Sequence, residues 1–251
     1  MRSWGGTMPT LKVGDINIYY EIHGEGEPLV LIMGYGANSR WWHPQIPVFS
    51  QEYRVIAFDN RGVGRSDKPD IPYTMEMMVR DTAGLLEALG IDAAHVFGAS
   101  MGGMIAQEFA LRHPDKVISL ILACTTPGGR NAVMPDEEAM TFLFDHERRK
   151  DLTLEEQARE LLPFLFSQEF IDKNPKLMDE FIARILEYPT PPHGYQRQGE
   201  AMMRFNAYER LPEIKAPTLV MAGTADRLIP PENSSIIASR IPGAEVVIFE
   251  H

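Results

Sequence analysis

Short apolar strands alternating with amphipathic helices, a serine between two glycines at one strand-to-helix junction, and one long all-helical interruption predict an α/β protein. Strands that alternate with helices are joined by crossovers that lay helices on the sheet, so the sheet is mainly parallel and covered on both faces. Eight strands are legible. Residues 11–20 alternate around Gly14-Asp15 and form an opening antiparallel hairpin. Residues 28–33 (PLVLIM) are apolar throughout, as a strand buried on both faces should be, and break at Gly34-Tyr35-Gly36. The strand at 53–58 (YRVIAF) runs into a loop carrying Asp59, Arg61 and Asp67. Met75, Met78, Val79, Thr82, Leu85, Leu86 and Leu89 share one helical face, closed by Gly90. A strand at 94–97, a helix from Met101 to Leu111 stopped by Pro114, and a strand at 117–123 come next. Strands at 217–221 and 246–249 flank a helix around 234–240.

Residues 127–210 interrupt this alternation as a helical lid inserted after the sixth strand, which leaves 1–126 and 211–251 as the core. Thr153 and Glu156 form a capping box ahead of a helix stopped by Pro163, and Asn174-Pro175 opens another. Residues 188–192 (YPTPP) read as a hinge-like break. Phe142, Phe144, Phe164, Phe166, Met202, Met203 and Phe205 read first as lid core, with some of them facing the gap between lid and sheet.

Composition narrows the function. A net charge of −11 argues against nucleic acid or an anionic membrane surface as partner. No stretch reaches the ~18 apolar residues of a membrane span. The first seven residues show no signal-peptide pattern, and the one cysteine, Cys124, reads as a buried small hydrophobe. The expectation is a soluble cytoplasmic protein with no metal site, since no H-E-x-x-H and no Cys/His cluster occurs.

Gly98-Ala99-Ser100-Met101-Gly102 carries the chemistry. A G-x-S-x-G sequence between strand and helix makes a turn so tight that the serine projects alone at its apex. Together with PLVLIMGYG, FDNRGVGRSD and LVMAGTADRLIP, in that order, it resembles the α/β-hydrolase fold over nearly the whole chain, in the lidded esterase, lactonase and haloperoxidase-like branch. The resemblance implies a nucleophile after the fifth strand, an acid after the sixth or seventh, and a histidine after the eighth. Ser100 matches the nucleophile and Asp226 the acid; the alternative acid position holds Cys124-Thr125-Thr126 and no carboxylate. The backbone N–H groups of Tyr35 and Met101 match the oxyanion hole, with Met33 where the family commonly has histidine. Asp59, Arg61 and Asp67 read as turn and ion-pair residues, and His43 as a wall of the pocket.

Of the histidines only His251 comes after Asp226, and it is the candidate base. The resemblance places a Gly-His loop and a final helix after the eighth strand, whereas this strand leads directly into Glu250 and His251. The expectation is therefore that the base and the last helix lie beyond residue 251, with His251 as the opposing candidate. The implied activity is a serine hydrolase acting on a small ester or lactone through an acyl-enzyme, with no cofactor. Carbon–carbon bond hydrolysis and cofactor-free perhydrolysis use the same constellation, and a non-catalytic ligand sensor keeping the fold is the alternative from another class.

Overall fold

Leu29, Val30, Leu31, Ile32 and Met33 are apolar at every position because they face two cores. In the computed structural model, which describes residues 9–145 and 150–250, Val30 and Ile32 enter one core while Leu29, Leu31 and Met33 enter the other. The two-residue period of a strand does this sorting. Ile56, Phe58 and Val96 join the first core, and Val55 and Phe97 the second.

These residues lie on β3 (Glu27–Ile32), β4 (Tyr53–Phe58) and β5 (Ala94–Ala99), with Met33 just past the end of β3. They are flanked by β1 (Thr10–Val13) and β2 (Ile16–His23) on one side and by β6 (Val117–Ala123), β7 (Thr218–Gly223) and β8 (Glu245–Phe249) on the other. The sheet order is β1-β2-β4-β3-β5-β6-β7-β8. β1 pairs β2, and β2 pairs β4, antiparallel; every other pair is parallel. The chain steps from β3 outward to β4, then back across to β5 on the other side of β3. Such a reversal opens a crevice at the carboxyl ends of the two strands on either side of it. Gly34 and Ser100 lie just past the ends of those two strands.

Helices fill the connections. α1 (Ile46–Phe49) lies between β3 and β4, and α2 (Met75–Ala88) between β4 and β5. α2 buries Met75, Met78, Val79, Thr82, Leu85 and Leu86, and Thr74 Oγ1 caps it by accepting from Met77 N at 3.1 Å. α3 (Met101–Arg112) joins β5 to β6 and is buried along almost its whole length. Between β6 and β7 come α4 (Glu137–Phe144), α5 (Leu154–Leu165), α6 (Gln168–Lys173), α7 (Pro175–Glu187) and α8 (Pro192–Met203). α9 (Glu232–Arg240) precedes β8 and places Ile237 in the sheet core.

The helices between β6 and β7 own a small core of Ala158, Leu162, Met178 and Ile182, separate from the two at the sheet. The expected capping box of Thr153 and Glu156 is present. Two details differ from expectation. Pro163 does not stop α5, which continues to Leu165: Phe166 N donates to Leu162 O at 2.9 Å and Phe164 stacks on Phe142 at 4.5 Å, so the last turn is held from outside. Asn174 does not cap α7 with its side chain; Nδ2 turns back to Phe170 O at 2.8 Å and serves the end of α6.

The aromatic and methionine residues also sort themselves. Phe205 belongs to the sheet core, Met202 packs against that core, and Met203 is 62% exposed. Among the described residues no helix is long and apolar enough to cross a membrane.

Candidate active site

Ser100 is where β5 becomes α3 in a single residue. Its φ of 55° and ψ of −122° lie where L-residues rarely go, a conformation that costs roughly 1–3 kcal/mol. Four hydrogen bonds hold the backbone there. Ser100 N donates to Ala123 O at 2.9 Å, and Ser100 O accepts from Gly103 N (2.9 Å), Met104 N (3.3 Å) and Thr125 Oγ1 (2.8 Å). The glycines on either side are demanded by space: a Cβ on Gly98 would meet Gly102 O at 2.3 Å. A serine at a helix N-cap ordinarily bonds the second or third helical amide. Ser100 makes no such bond, and its Oγ has no hydrogen-bond partner among the described residues.

Met101, the first residue of α3, carries one of the N–H groups that a helix leaves without an intrahelical acceptor. Across the crevice, a Cβ on Gly34 would sit 2.9 Å from Ser100 Cβ and 3.3 Å from its Oγ. The loop after β3 is pinned from several directions. Asn60 Nδ2 donates to Met33 O at 2.9 Å, and Ala37 N closes a turn onto Gly34 O at 3.3 Å. A trans peptide points its N–H opposite its carbonyl, so the Tyr35 N–H is directed away from that turn. Met33 itself is buried beside Trp42 and Phe97 in the second core. The Tyr35 ring meets Tyr195 edge-on at 5.4 Å and lies 6.2 Å from Phe144.

Asp226 lies after β7 in a turn closed by Asp226 N and Gly223 O at 3.2 Å. Its Oδ1 accepts from Leu228 N (3.0 Å) and Ile229 N (2.8 Å), while Oδ2 accepts no hydrogen bond among the described residues. Burial raises the Asp226 carboxyl above the usual aspartate range, against the pull of those two amides. Between Asp226 and Ser100 in strand order stands Cys124, at the end of β6 with a φ of 40°. Burial, and next the Asp226 carboxylate, push its thiol up to about 12, so it stays protonated at neutral pH. Ser100, Cys124 and Asp226 thus end three neighbouring parallel strands at one edge of the sheet.

The sequence profile described as alpha/beta hydrolase fold matches residues 27–251. The chain belongs to that family. Among its relatives, RutD of Azorhizobium caulinodans, a provisionally named carbamate hydrolase, is 32% identical over 95% of this chain and 88% of its own. The enol-lactonase of Burkholderia xenovorans LB400 superposes with a TM-score of 0.84, at 28% identity, over 96% of this chain and 91% of its own. A thermophilic esterase of Thermogutta terrifontis gives a TM-score of 0.82, at 28% identity, over 98% of this chain and 90% of its own. These relatives carry the names of hydrolases, and the chain shares their fold.

In this α/β hydrolase the other polar residues read from the sequence fall away from the crevice. Asp59 accepts from Ser39 N and Arg65 N, both at 2.7 Å, and Asp67 from Asn17 N at 2.8 Å. Arg61 is buried in a two-bond pair with Asp81. These are turn and ion-pair residues, as expected. His43 is not a pocket wall: it is exposed, 3.4 Å from Arg184. His23 pairs with Glu21 at 3.0 Å, His95 with Ser119 Oγ at 2.7 Å, His113 ends α3, and His193 Nε2 donates to Lys68 O at 3.0 Å. His251, the candidate base, lies outside the described residues.

Cys124, Thr125 and Asn60 were not singled out for the site by sequence. Cys124 stands at the carboxyl end of a central strand, and that address was the available signal. Among the described residues no group of three or more His, Cys, Asp and Glu side chains could hold a metal ion.

Proposed function

We propose that this chain is a serine hydrolase that cleaves a small carboxylic ester or lactone through an acyl-enzyme. Ser100 Oγ attacks the carbonyl carbon and passes its proton to a histidine. The oxyanion is received by the N–H groups of Tyr35 and Met101. Collapse expels the alcohol, which takes the proton back from the imidazolium, and water repeats the sequence to release the acid. Asp226 orients the histidine: an imidazole Nδ1–H fills the open Oδ2 acceptor, and the buried carboxylate gains a charged partner as the imidazolium forms. His251 is the candidate for that imidazole in this sequence. The scheme calls on no cofactor, the partner is a small molecule, and the lone cysteine fits a cytoplasmic location.

The observation that carries this reading is the strained Ser100 backbone with its uncommitted Oγ beside Gly34 and the α3 N-terminus. A serine kept only for packing gains nothing from that conformation. The likeness to an enol-lactonase and an esterase favours a C–O bond as the one cleaved. The helices of residues 127–210 would then act as a lid, with Phe144 and Tyr195 beside Tyr35 bounding the acyl pocket.

Stopped-flow release of p-nitrophenol from p-nitrophenyl acetate tests the proposal. A burst approaching one equivalent per chain, followed by slower turnover, is expected. Binding of the ester without any burst or turnover would favour the non-catalytic sensor. Carbamate cleavage is the second reading, favoured by the similarity to RutD. A matched ester and carbamate pair separates the two by which carbonyl acylates Ser100.

A further inference from the structure

α8 carries a glutamine that has no exposure at all. Gln198 Oε1 accepts from Gly36 N at 2.9 Å, and Gln198 Nε2 donates to Arg61 O at 2.9 Å. Both partners are backbone groups with one possible role each, so the amide orientation is settled by them. Gly36 is held from its other side as well: Thr190 Oγ1, ahead of α8, donates to Gly36 O at 2.8 Å. Gly36 has a φ of 66°, and a Cβ there would meet Tyr195 at 2.0 Å. Further bonds tie the same stretch to the loop: Asn38 Nδ2 donates to Tyr188 O at 3.2 Å, and Arg40 Nη2 to Glu187 Oε2 at 2.6 Å.

Gly36 N–H belongs to the peptide next to the one that bears the Tyr35 N–H. Its rotation is therefore coupled to the donor assigned to the oxyanion hole. A buried glutamine with both ends bonded is costly to displace, because each freed backbone group would stay unsatisfied in the interior. The far end of the link is equally firm, since Arg61 is fixed by its buried pair with Asp81.

We infer that Gln198 and Thr190 are positioning residues that set the oxyanion loop from the helical insertion, so that the insertion and the oxyanion hole form one mechanical unit. The inference rests on the serine-hydrolase reading for its catalytic consequence, but the coupling itself has an independent readout. Without Gln198 the Tyr35 N–H loses alignment with the developing oxyanion, an interaction used in the transition state and little in the ground state.

The test uses the whole protein carrying Gln198→Leu or Thr190→Val. For Gln198→Leu, kcat should fall about 10–100-fold while KM holds within about threefold. The inhibition constant of a trifluoromethyl ketone, whose adduct places an oxyanion in the hole, should rise by the same factor as kcat falls. Amide hydrogen exchange at Gly36 should accelerate in both variants, and Thr190→Val should lower kcat in the same direction by a smaller factor. If Gln198→Leu does not fold, Thr190→Val alone decides. A folded variant with unchanged Gly36 exchange, or with kcat and ketone affinity both unchanged, overturns the inference. Ser100→Ala separates the two claims: turnover surviving that change overturns the serine-hydrolase reading and leaves Gly36 exchange to decide the coupling.

Discussion

Gly34 approaches Ser100 so closely that a β-carbon on the glycine would lie 2.9 Å from the serine Cβ. Ser100 cannot retreat, because three backbone hydrogen bonds and one from the Thr125 hydroxyl fix it. Gly34→Ala must therefore displace the loop that carries Tyr35. Esterase kcat should fall about 10²-fold, as expected for a misplacement of about an ångström. Stability should fall by about 1–3 kcal/mol, the usual cost of an overpacked contact. Steady-state kinetics with thermal unfolding checks both.

The Ser100 conformation gives a second outcome that runs in opposite directions for activity and stability. Ser100→Gly removes the nucleophile and the Cβ that makes φ of 55° costly. Activity should drop by ~10⁴ or more, since triad members act as a unit. Stability should rise by about 1 kcal/mol once relief of strain is set against the freer unfolded chain. That corresponds to a Tm about 2–4 °C higher for a chain of this size. A glycine variant less stable than the wild type would contradict the strain assigned to this residue.

The buried carboxyl of Asp226 sets a pH dependence whose sign comes from its raised pKa. A carboxyl that titrates higher in the folded than in the unfolded state favours folding when protonated. Its contribution is present below the unfolded aspartate pKa and is lost as pH rises through the folded value. Asp226→Asn keeps an oxygen for Leu228 N and Ile229 N and removes the charge. The variant should be at least as stable as wild type at pH 7, with the difference shrinking as pH falls toward the unfolded aspartate value. Its turnover should be about 10⁴-fold lower, the loss typical of neutralising a triad carboxylate. Denaturant unfolding across pH 4–8 tests the sign.

Two phenylalanines and a methionine of the helical insertion should separate by location. Phe144, beside Tyr35, should alter the preferred acyl length when cut to alanine. Phe205→Ala should cost about 3–5 kcal/mol with the selectivity profile unchanged, since Phe205 is in the sheet core. Met203→Ala should do neither, because the side chain faces solvent. A panel of p-nitrophenyl esters of increasing length, run beside thermal melts, distinguishes the three.

How much of this was legible in the sequence depends on how local each determinant is. Asp226 was pointed to only by the resemblance to the α/β-hydrolase fold, whereas the turn at Ser100 was legible because strand pattern and glycine spacing act over a few residues. The strand at Tyr53–Phe58 matched its expected bounds for the same reason. β5 ran two residues longer than read, since pairing with β6 extends to Ala99 and Ala123. Gln198 was invisible: its partner Gly36 is 162 residues away, and a polar residue on a helix gives no local sign of burial. Phe205 and Met203 likewise share a composition but not a face, and only packing decides which is covered. Cys124 has a φ of 40° while its N–H donates to Met221 O at 2.8 Å, a conformation that sequence patterning does not encode.

The central claim is that Ser100 is acylated, and peptide mapping of the covalently labelled protein addresses it most directly. After reaction with a fluorophosphonate, a single adduct is expected on the peptide containing Gly98-Ala99-Ser100-Met101-Gly102, absent from Ser100→Ala. An adduct on a different serine, or ester turnover by Ser100→Ala at the wild-type rate, would contradict the account.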